Sequence, residues 1–133
     1  MIAMKKVLIL PLLLLLLFSC KKNGFDPKGP TDVRVKNSSD LAFSQVIVNT
    51  SEGIDTLGNV AAGGFSEYFR FDMAYPKAEI TVKINGQVFS TGAVNYLGMT
   101  YIGQAKITYD VFISDFNNKK LSISNCSLDA PLD

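Results

Sequence analysis

Few side chains in this sequence are suited to chemistry, because the chain contains no histidine. The absence removes Ser-His-Asp and Cys-His catalysis, and with them the usual zinc sites. The carboxylates that could pair for acid–base chemistry are scattered over different predicted strands and turns: Glu52, Asp55, Glu67, Asp72 and Asp110. They lack the dense spacing of calcium loops, and no glycine-rich phosphate loop occurs. The sequence therefore predicts no enzyme, no metal and no cofactor.

The chain has two cysteines, and they differ in setting. No lysine lies nearer in sequence to Cys126 than Lys120, so nothing visible lowers the pKa of its thiol. We expect Cys126 to be a small buried apolar side chain, with a redox-active or intermolecular thiol as the alternative. Cys20 instead lies two residues after the apolar run 7–18, and that run follows Lys5 and Lys6.

Residues 17–20, Leu-Phe-Ser-Cys, resemble the lipobox of bacterial lipoproteins, in which the cysteine is acylated and the peptide before it is removed. The run before Cys20 is typical of a secretory signal and is shorter than the roughly 18 residues of a spanning helix. The resemblance implies a cleaved signal peptide over 1–19 and a lipid, with fatty acids such as palmitate, on Cys20. The alternatives are an ordinary secretory signal cut elsewhere and an uncleaved anchor.

This signal predicts a protein of the bacterial cell envelope, attached to the outer membrane by lipid and exposed on either its periplasmic or its surface face. Removal of Lys5 and Lys6 with the signal peptide leaves 11 of the 13 basic residues against 12 acidic ones, a net charge of about −1. A chain of this charge gives no reason to predict a nucleic-acid partner. If the sulfur of Cys20 is alkylated, Cys126 is the one remaining thiol and no internal disulfide can form.

The mature chain divides into a tether and one domain. Residues 20–30 are rich in glycine, proline and charge, which is typical of a flexible linker. Residues 31–133 consist of short alternating runs bounded every 8 to 12 residues by turn formers, without a 3.6-residue period. This pattern predicts an all-β fold of about seven or eight strands, arranged as an antiparallel sandwich or barrel.

Two hairpins are the clearest local predictions. Asn85-Gly86 favours a type I′ turn between residues 78–84 and 87–91. A second hairpin joins 105–113 to 121–125, with Tyr109 in its buried row. The first hairpin should turn three side chains of its leading strand inward: Ile80, Val82 and Ile84.

A further strand is predicted over 65–71, where Phe65, Phe69 and Phe71 alternate and should face the core. Glu67 shares that face. A charged side chain on an inward face is typical of a bulged or edge strand, so we expect this strand to be bulged or to lie at an edge.

Residues 95–109 contain Tyr96-Leu97-Gly98 and, after a loop, Lys106-Ile107-Thr108-Tyr109. The pair resembles a recurring Tyr-x-Gly and Lys-x-Thr-Tyr pattern of small secreted bacterial lipoproteins. Ala105 stands where many relatives have glycine. The resemblance implies an immunoglobulin-like β-sandwich, and no activity or site residue comes with it.

Three aromatic side chains are predicted to lie in loops or on an outer face, where they could contact a ligand or partner: Tyr75, Tyr101 and Phe112. Tyr96 is expected to pin its loop to the body, and Tyr101 could play either role. Asp55-Thr56-Leu57 also resembles a bacterial O-glycosylation signal. The sequence thus predicts a non-enzymatic module that binds or assembles with an envelope protein, with carbohydrate binding through exposed aromatic rings as the alternative.

Overall fold

The computed structural model describes residues 29–132, which form eight β-strands. The strands are β1 Thr31–Asn37, β2 Phe43–Asn49, β3 Ile54–Val60, β4 Phe69–Phe71, β5 Glu79–Ile84, β6 Gln87–Ser90, β7 Ala105–Asp115 and β8 Lys120–Pro131. This part of the chain has no helix able to cross a membrane. The predicted signal peptide 1–19, Cys20 and tether residues 21–28 lie outside the described residues.

The eight strands form one sheet in the order β3-β2-β5-β6-β8-β7-β1-β4. β1 runs parallel to β7, starting with Thr31 beside Ala105. β6 and β8 also pair in parallel, at Ser90 and Lys120. The all-β prediction and the number of strands are confirmed, but the sheet is mixed and is not antiparallel throughout. The immunoglobulin-like sandwich stays a prediction.

The sheet curls until its two ends meet, which makes it nearly a barrel. The end strands β3 and β4 contact each other, and β3 also contacts β1. Asn37 is buried at this closure, where its Nδ2 donates hydrogen bonds to the carbonyl oxygens of Leu41 (2.8 Å) and Val60 (3.1 Å). Its Oδ1 accepts a bond of 2.9 Å from the Ser39 N–H. Asn37 therefore ties the end of β1 to the end of β3.

The core lies inside the curled sheet and receives side chains from every strand. Burial alternates along β1 and β5, as the period of two of a strand requires. Its largest fully buried members are Tyr109, Phe43, Phe89, Ile80, Ile84 and Ile107. Among the described residues, no buried side-chain nitrogen or oxygen lacks a hydrogen-bond partner. Burial of this apolar surface is the main stabilising contribution to such a fold.

Both predicted hairpins are confirmed. Asn85 and Gly86 have positive φ angles of 51° and 78°, as a type I′ turn requires, and they join β5 to β6. In the second hairpin β7 pairs with β8 along its length, with Ile113 opposite Leu121. Both strands extend beyond the predicted ends, to Asp115 and Pro131.

The predicted strand 65–71 is shorter than expected. β4 contains three residues and lies at one end of the sheet order, so the predicted edge position is confirmed. Phe65 was expected in the core, but its side chain is 49% exposed. Ser66 takes the inward place instead, because its N–H donates to the Val35 carbonyl (2.8 Å) and its Oγ accepts from the Val35 N–H (2.9 Å).

Candidate functional site

The three aromatic residues predicted to contact a ligand separate into two regions. Tyr75 and Tyr101 lie together, in the connections that follow β4 and precede β7. Phe112 lies on the outer face of β7 and lines an open cleft of about 490 Å³. That cleft is also lined by Ser38, Ser39, Asp40, Leu41 and Ile113. The structure therefore brings two of the three residues together.

Tyr75, Tyr96 and Tyr101 form a tyrosine cluster. The ring centroid of Tyr75 lies 4.7 Å from that of Tyr96 and 5.0 Å from that of Tyr101, distances at which aromatic pairs attract. A hydrogen bond with the Tyr101 side chain, together with burial, raises the pKa of Tyr75. Tyr75 was expected in an exposed loop but is 8% exposed, since the other two rings cover it, whereas Tyr101 is 39% exposed.

Tyr96 fastens the loop 91–104 to the body of the domain, as expected. Its hydroxyl donates a hydrogen bond of 3.1 Å to the carbonyl oxygen of Asn49, the last residue of β2. Burial raises the pKa of Tyr96. The Ile102 N–H donates a second fastening bond of 2.9 Å to the Ala74 carbonyl, in the β4–β5 connection. The loop is therefore fixed to two different parts of the domain.

A cleft of about 350 Å³ opens where β8 faces the loop 91–104. On one side β8 pairs with β7 over its whole length; on the other, within residues 29–132, it pairs with β6 at Lys120 alone. Beyond that point the loop runs from β6 to β7 without forming a ladder with β8. The cleft walls include Ala93, Val94, Asn95 and Met99 from the loop and Leu121, Ser122 and Ile123 from β8.

An aromatic and charged cluster, which the sequence did not predict, lies on the outer face of β1, β7 and β8. The guanidinium of Arg34 lies 4.2 Å from the ring centroid of Phe65 and 4.8 Å from that of Tyr68, within the range of cation–π attraction. Arg34 Nε donates a hydrogen bond of 2.8 Å to Thr108 Oγ1. Oδ2 of Asp129 accepts bonds from the hydroxyls of Tyr68 (2.7 Å) and Thr108 (2.5 Å).

The hydrogen bonds of this cluster hold Asp129 in its charged form. Partial burial raises the pKa of the Asp129 carboxyl, but hydrogen bonds from Thr108, Tyr68 and Ser127 outweigh it and lower the pKa below its usual value. Burial, followed by the bond to Asp129, raises the pKa of Tyr68. Neither group is moved toward neutral pH, so the pair suits a structural tie better than proton transfer.

The remaining reactive groups do not converge. Among the described residues, no three acidic or cysteine side chains gather in a way that could hold a metal ion. Cys126 is partly buried against the core, and burial, together with the charge of Asp129, raises the pKa of its thiol to about 11. The thiol is therefore protonated at neutral pH and poorly nucleophilic.

No protein-family model matches the chain, and no curated protein sequence matches it. A solved structure described as the NMR structure of the protein from Eubacterium rectale is similar, with a TM-score of 0.48 and 14% identity. The likeness covers 80% of this chain and 100% of that one. A similarity at this distance assigns no function to the chain.

Proposed function

We propose that the chain is a lipid-anchored, non-enzymatic module of the bacterial cell envelope that binds a protein partner along the free edge of β8. The resemblance of residues 17–20 to a lipobox supports the anchor at Cys20, and the composition of 20–30 supports a flexible tether. The observation that carries the binding mode is the single residue pair, Ser90 with Lys120, by which β6 meets β8.

That single pair also supports a sandwich description of the domain. It divides the sheet order into two sets of four strands, β3-β2-β5-β6 and β8-β7-β1-β4. The predicted immunoglobulin-like sandwich corresponds to these two sets facing each other across the core. In that arrangement β8 is an edge strand of its set, with the loop 91–104 beside it.

The free edge of β8 can accept an extended segment of another chain. An unpaired strand presents backbone N–H and C=O groups that a partner strand can bind, while its alternate side chains fill neighbouring pockets. Here Leu121, Ser122 and Ile123 of β8 line an open cleft. A partner strand lying along β8 would place side chains against Ala93 and Met99 on the opposite wall.

The composition of β8 also favours an interaction edge. Residues 121–128 contain no charged side chain and no proline, the features with which proteins usually protect edges from pairing. The edge strand β3 differs, because it carries Asp55 and contacts β4. Both edges show register shifts against their paired neighbours, so the uncharged residues 121–128 are what distinguish β8.

Substitution inside and outside the cleft tests this proposal. Ser122→Lys places a long charged side chain in the cleft and should weaken binding of a partner isolated by crosslinking in intact envelopes by about tenfold or more. Ser124→Lys, on the same strand but outside the cleft lining, should leave binding unchanged. Addition of the partner should slow backbone amide exchange over 121–123. Protection that appears elsewhere, together with insensitivity to Ser122→Lys, would rule out strand addition at β8.

The anchor has its own test. Wild-type protein should incorporate labelled fatty acid and sediment with membranes, and Cys20→Ala should do neither. Protease treatment of intact cells then distinguishes the surface face from the periplasmic face. Wild-type protein that takes up no label, or Cys20→Ala protein labelled to the same extent as wild type, would contradict lipid attachment at this residue.

Carbohydrate binding is the second candidate, and the cleft at Phe112 favours it. An aromatic ring beside the hydroxyls of Ser38 and Ser39 and the carboxylate of Asp40 offers both a stacking surface and hydrogen-bond partners for a sugar. Binding to envelope or dietary glycans should be lost in Phe112→Ala. It should persist in Phe116→Ala, which removes another exposed ring from the β7–β8 turn. Absence of binding across both glycan classes would eliminate this candidate.

A further inference from the structure

We infer that the end of the domain carrying the tyrosine cluster docks on the bilayer, with Leu97 and Tyr101 at the level of the lipid headgroups. The inference rests on the proposed lipid anchor and adds a defined orientation to it. Three observations carry it: where the tether joins the domain, which side chains are exposed there, and how short the tether is.

The tether joins the domain next to the tyrosine cluster. Gly29 packs so closely against Gln104 that a Cβ on Gly29 would lie 1.8 Å from that side chain. Two residues later, Thr31 Oγ1 donates a hydrogen bond of 2.6 Å to the Gly103 carbonyl. Gly103 and Gln104 directly follow Tyr101 and Ile102 in the same loop. The point where the chain enters the domain therefore lies beside the segment that contains Tyr101.

The same end presents an apolar tip that the fold does not bury. Met99 N–H donates a hydrogen bond of 3.0 Å to the Tyr96 carbonyl, which closes a four-residue turn. Gly98, at φ +82°, takes the third position of this turn, as a type II turn requires. Leu97 is at its tip and is 90% exposed, more than any other large apolar side chain of the described residues. Tyrosine rings favour membrane–water interfaces, so the exposed ring of Tyr101 suits the same environment.

The tether keeps the domain within about 30 Å of the bilayer. Eight residues, 21–28, lie between the lipidated position and Gly29, and they span about 30 Å at full extension. The anchor therefore holds this end at a high effective concentration near the surface, so that two interfacial side chains suffice for docking. The opposite end, with the Asn85-Gly86 turn, would then face away from the membrane.

The absence of tryptophan from the chain allows a direct measurement. The full mature lipidated protein carrying Leu97→Trp is reconstituted into phosphatidylethanolamine–phosphatidylglycerol vesicles with brominated acyl chains. The tryptophan emission should shift to the blue, and brominated lipid should quench it at least twofold. The control is Val88→Trp, which replaces a 55% exposed side chain on β6, paired with Lys83 near the far hairpin turn. Its emission should remain that of a water-exposed indole.

The outcomes separate this inference from the anchor itself. Protein that floats with vesicles while Leu97→Trp stays unquenched retains the anchor and overturns the docking. Equal quenching of Leu97→Trp and Val88→Trp overturns the orientation. Protein that fails to float at all contradicts the lipid anchor, and the docking inference falls with it. Matching circular dichroism spectra of the variants and the wild type establish that each one is folded.

Discussion

The hydroxyl of Tyr109 donates a hydrogen bond to the backbone carbonyl oxygen of Tyr75. Tyr109 is fully buried on β7, whereas Tyr75 lies in the connection between β4 and β5. The bond joins the core to the segment on which the tyrosine cluster is built. The Tyr109 hydroxyl thus holds the β4–β5 connection in place, because movement of this segment would leave a buried hydroxyl and a backbone carbonyl without their hydrogen bond.

Tyr109→Phe tests the contribution of this bond. The substitution keeps the ring but removes the donor, and an unsatisfied buried carbonyl should lower the free energy of unfolding by about 1–2 kcal/mol. Urea denaturation followed by circular dichroism measures the loss. Tyr101→Phe is the control, since water can replace the hydroxyl bond of a ring that is partly exposed. Equal free energies of unfolding for the two variants would contradict a stabilising contribution from the buried Tyr109 hydrogen bond.

The stability of the domain should fall at alkaline pH because of Tyr109. Burial raises the pKa of this phenol well above its usual value near 10. Below about pH 10 both folded and unfolded chains keep the proton, but above it the unfolded chain loses the proton that the folded chain retains. Stability should therefore decrease with rising pH by up to about 1.4 kcal/mol per unit for this group.

Urea midpoints between pH 8 and pH 11.5 measure this dependence, and Tyr109→Phe should make it less steep above pH 10. Part of the slope should remain, because the pKa values of Tyr68, Tyr75 and Tyr96 are also raised. Cys126 ionises in the same range, since burial raises its thiol pKa to about 11. Both chains in the comparison should therefore carry Cys126→Ala. Parallel curves for the two chains would mean that Tyr109 does not carry the effect.

Native Cys126 should react slowly with thiol reagents. Because burial raises the pKa of its thiol to about 11, little thiolate is present at pH 8. A chromogenic disulfide reagent should modify the folded protein at least tenfold more slowly than glutathione, and urea should restore the full rate. A native rate equal to that of glutathione would indicate the reactive-thiol alternative.

Substitution of Asn37 should open the closure between β1 and β3. Asn37→Ala removes the donor that serves the carbonyls of Leu41 and Val60, and we expect a loss of about 2–4 kcal/mol from these two buried groups. Asn37→Asp should cost at least as much, because it sets a carboxylate against both carbonyls. Asn125→Ala, at an exposed position on β8, should change stability by less than about 0.5 kcal/mol. Thermal and urea unfolding measure all three.

The sequence predicted those parts of the fold that depend on neighbouring residues. Asn85-Gly86 defines its own turn, and the alternation on either side defines which face of β5 is buried. The parallel pairing of β1 with β7 has no such local signal: Thr31 and Ala105 lie far apart in sequence, and packing decides that they are neighbours. Strand number was therefore predictable, whereas strand order was not.

In the candidate site, too, the features with a local sequence signal were predicted and those set by the packing of distant segments were not. Tyr96 was correctly expected to pin its loop, since a tyrosine beside the turn glycine Gly98 can reach back to the body of the domain. Tyr75 was misplaced, because the rings that cover it come from a loop whose position the sequence does not reveal. The partnership of Arg34 with Phe65 was missed for a related reason. Arg34 occupies an ordinary outward position on β1, and Phe65 reaches it from another segment.

The parallel pairing of β1 with β7 affects the order in which the molecule can form during synthesis. A chain made from its N-terminus cannot complete the pairing of β1 until residues 105–115 have left the ribosome. Contacts between such distant segments slow folding, because the long intervening chain must be ordered first. Until then the valines of β1 lack their main neighbour, so the nascent protein remains incompletely folded over most of its translation.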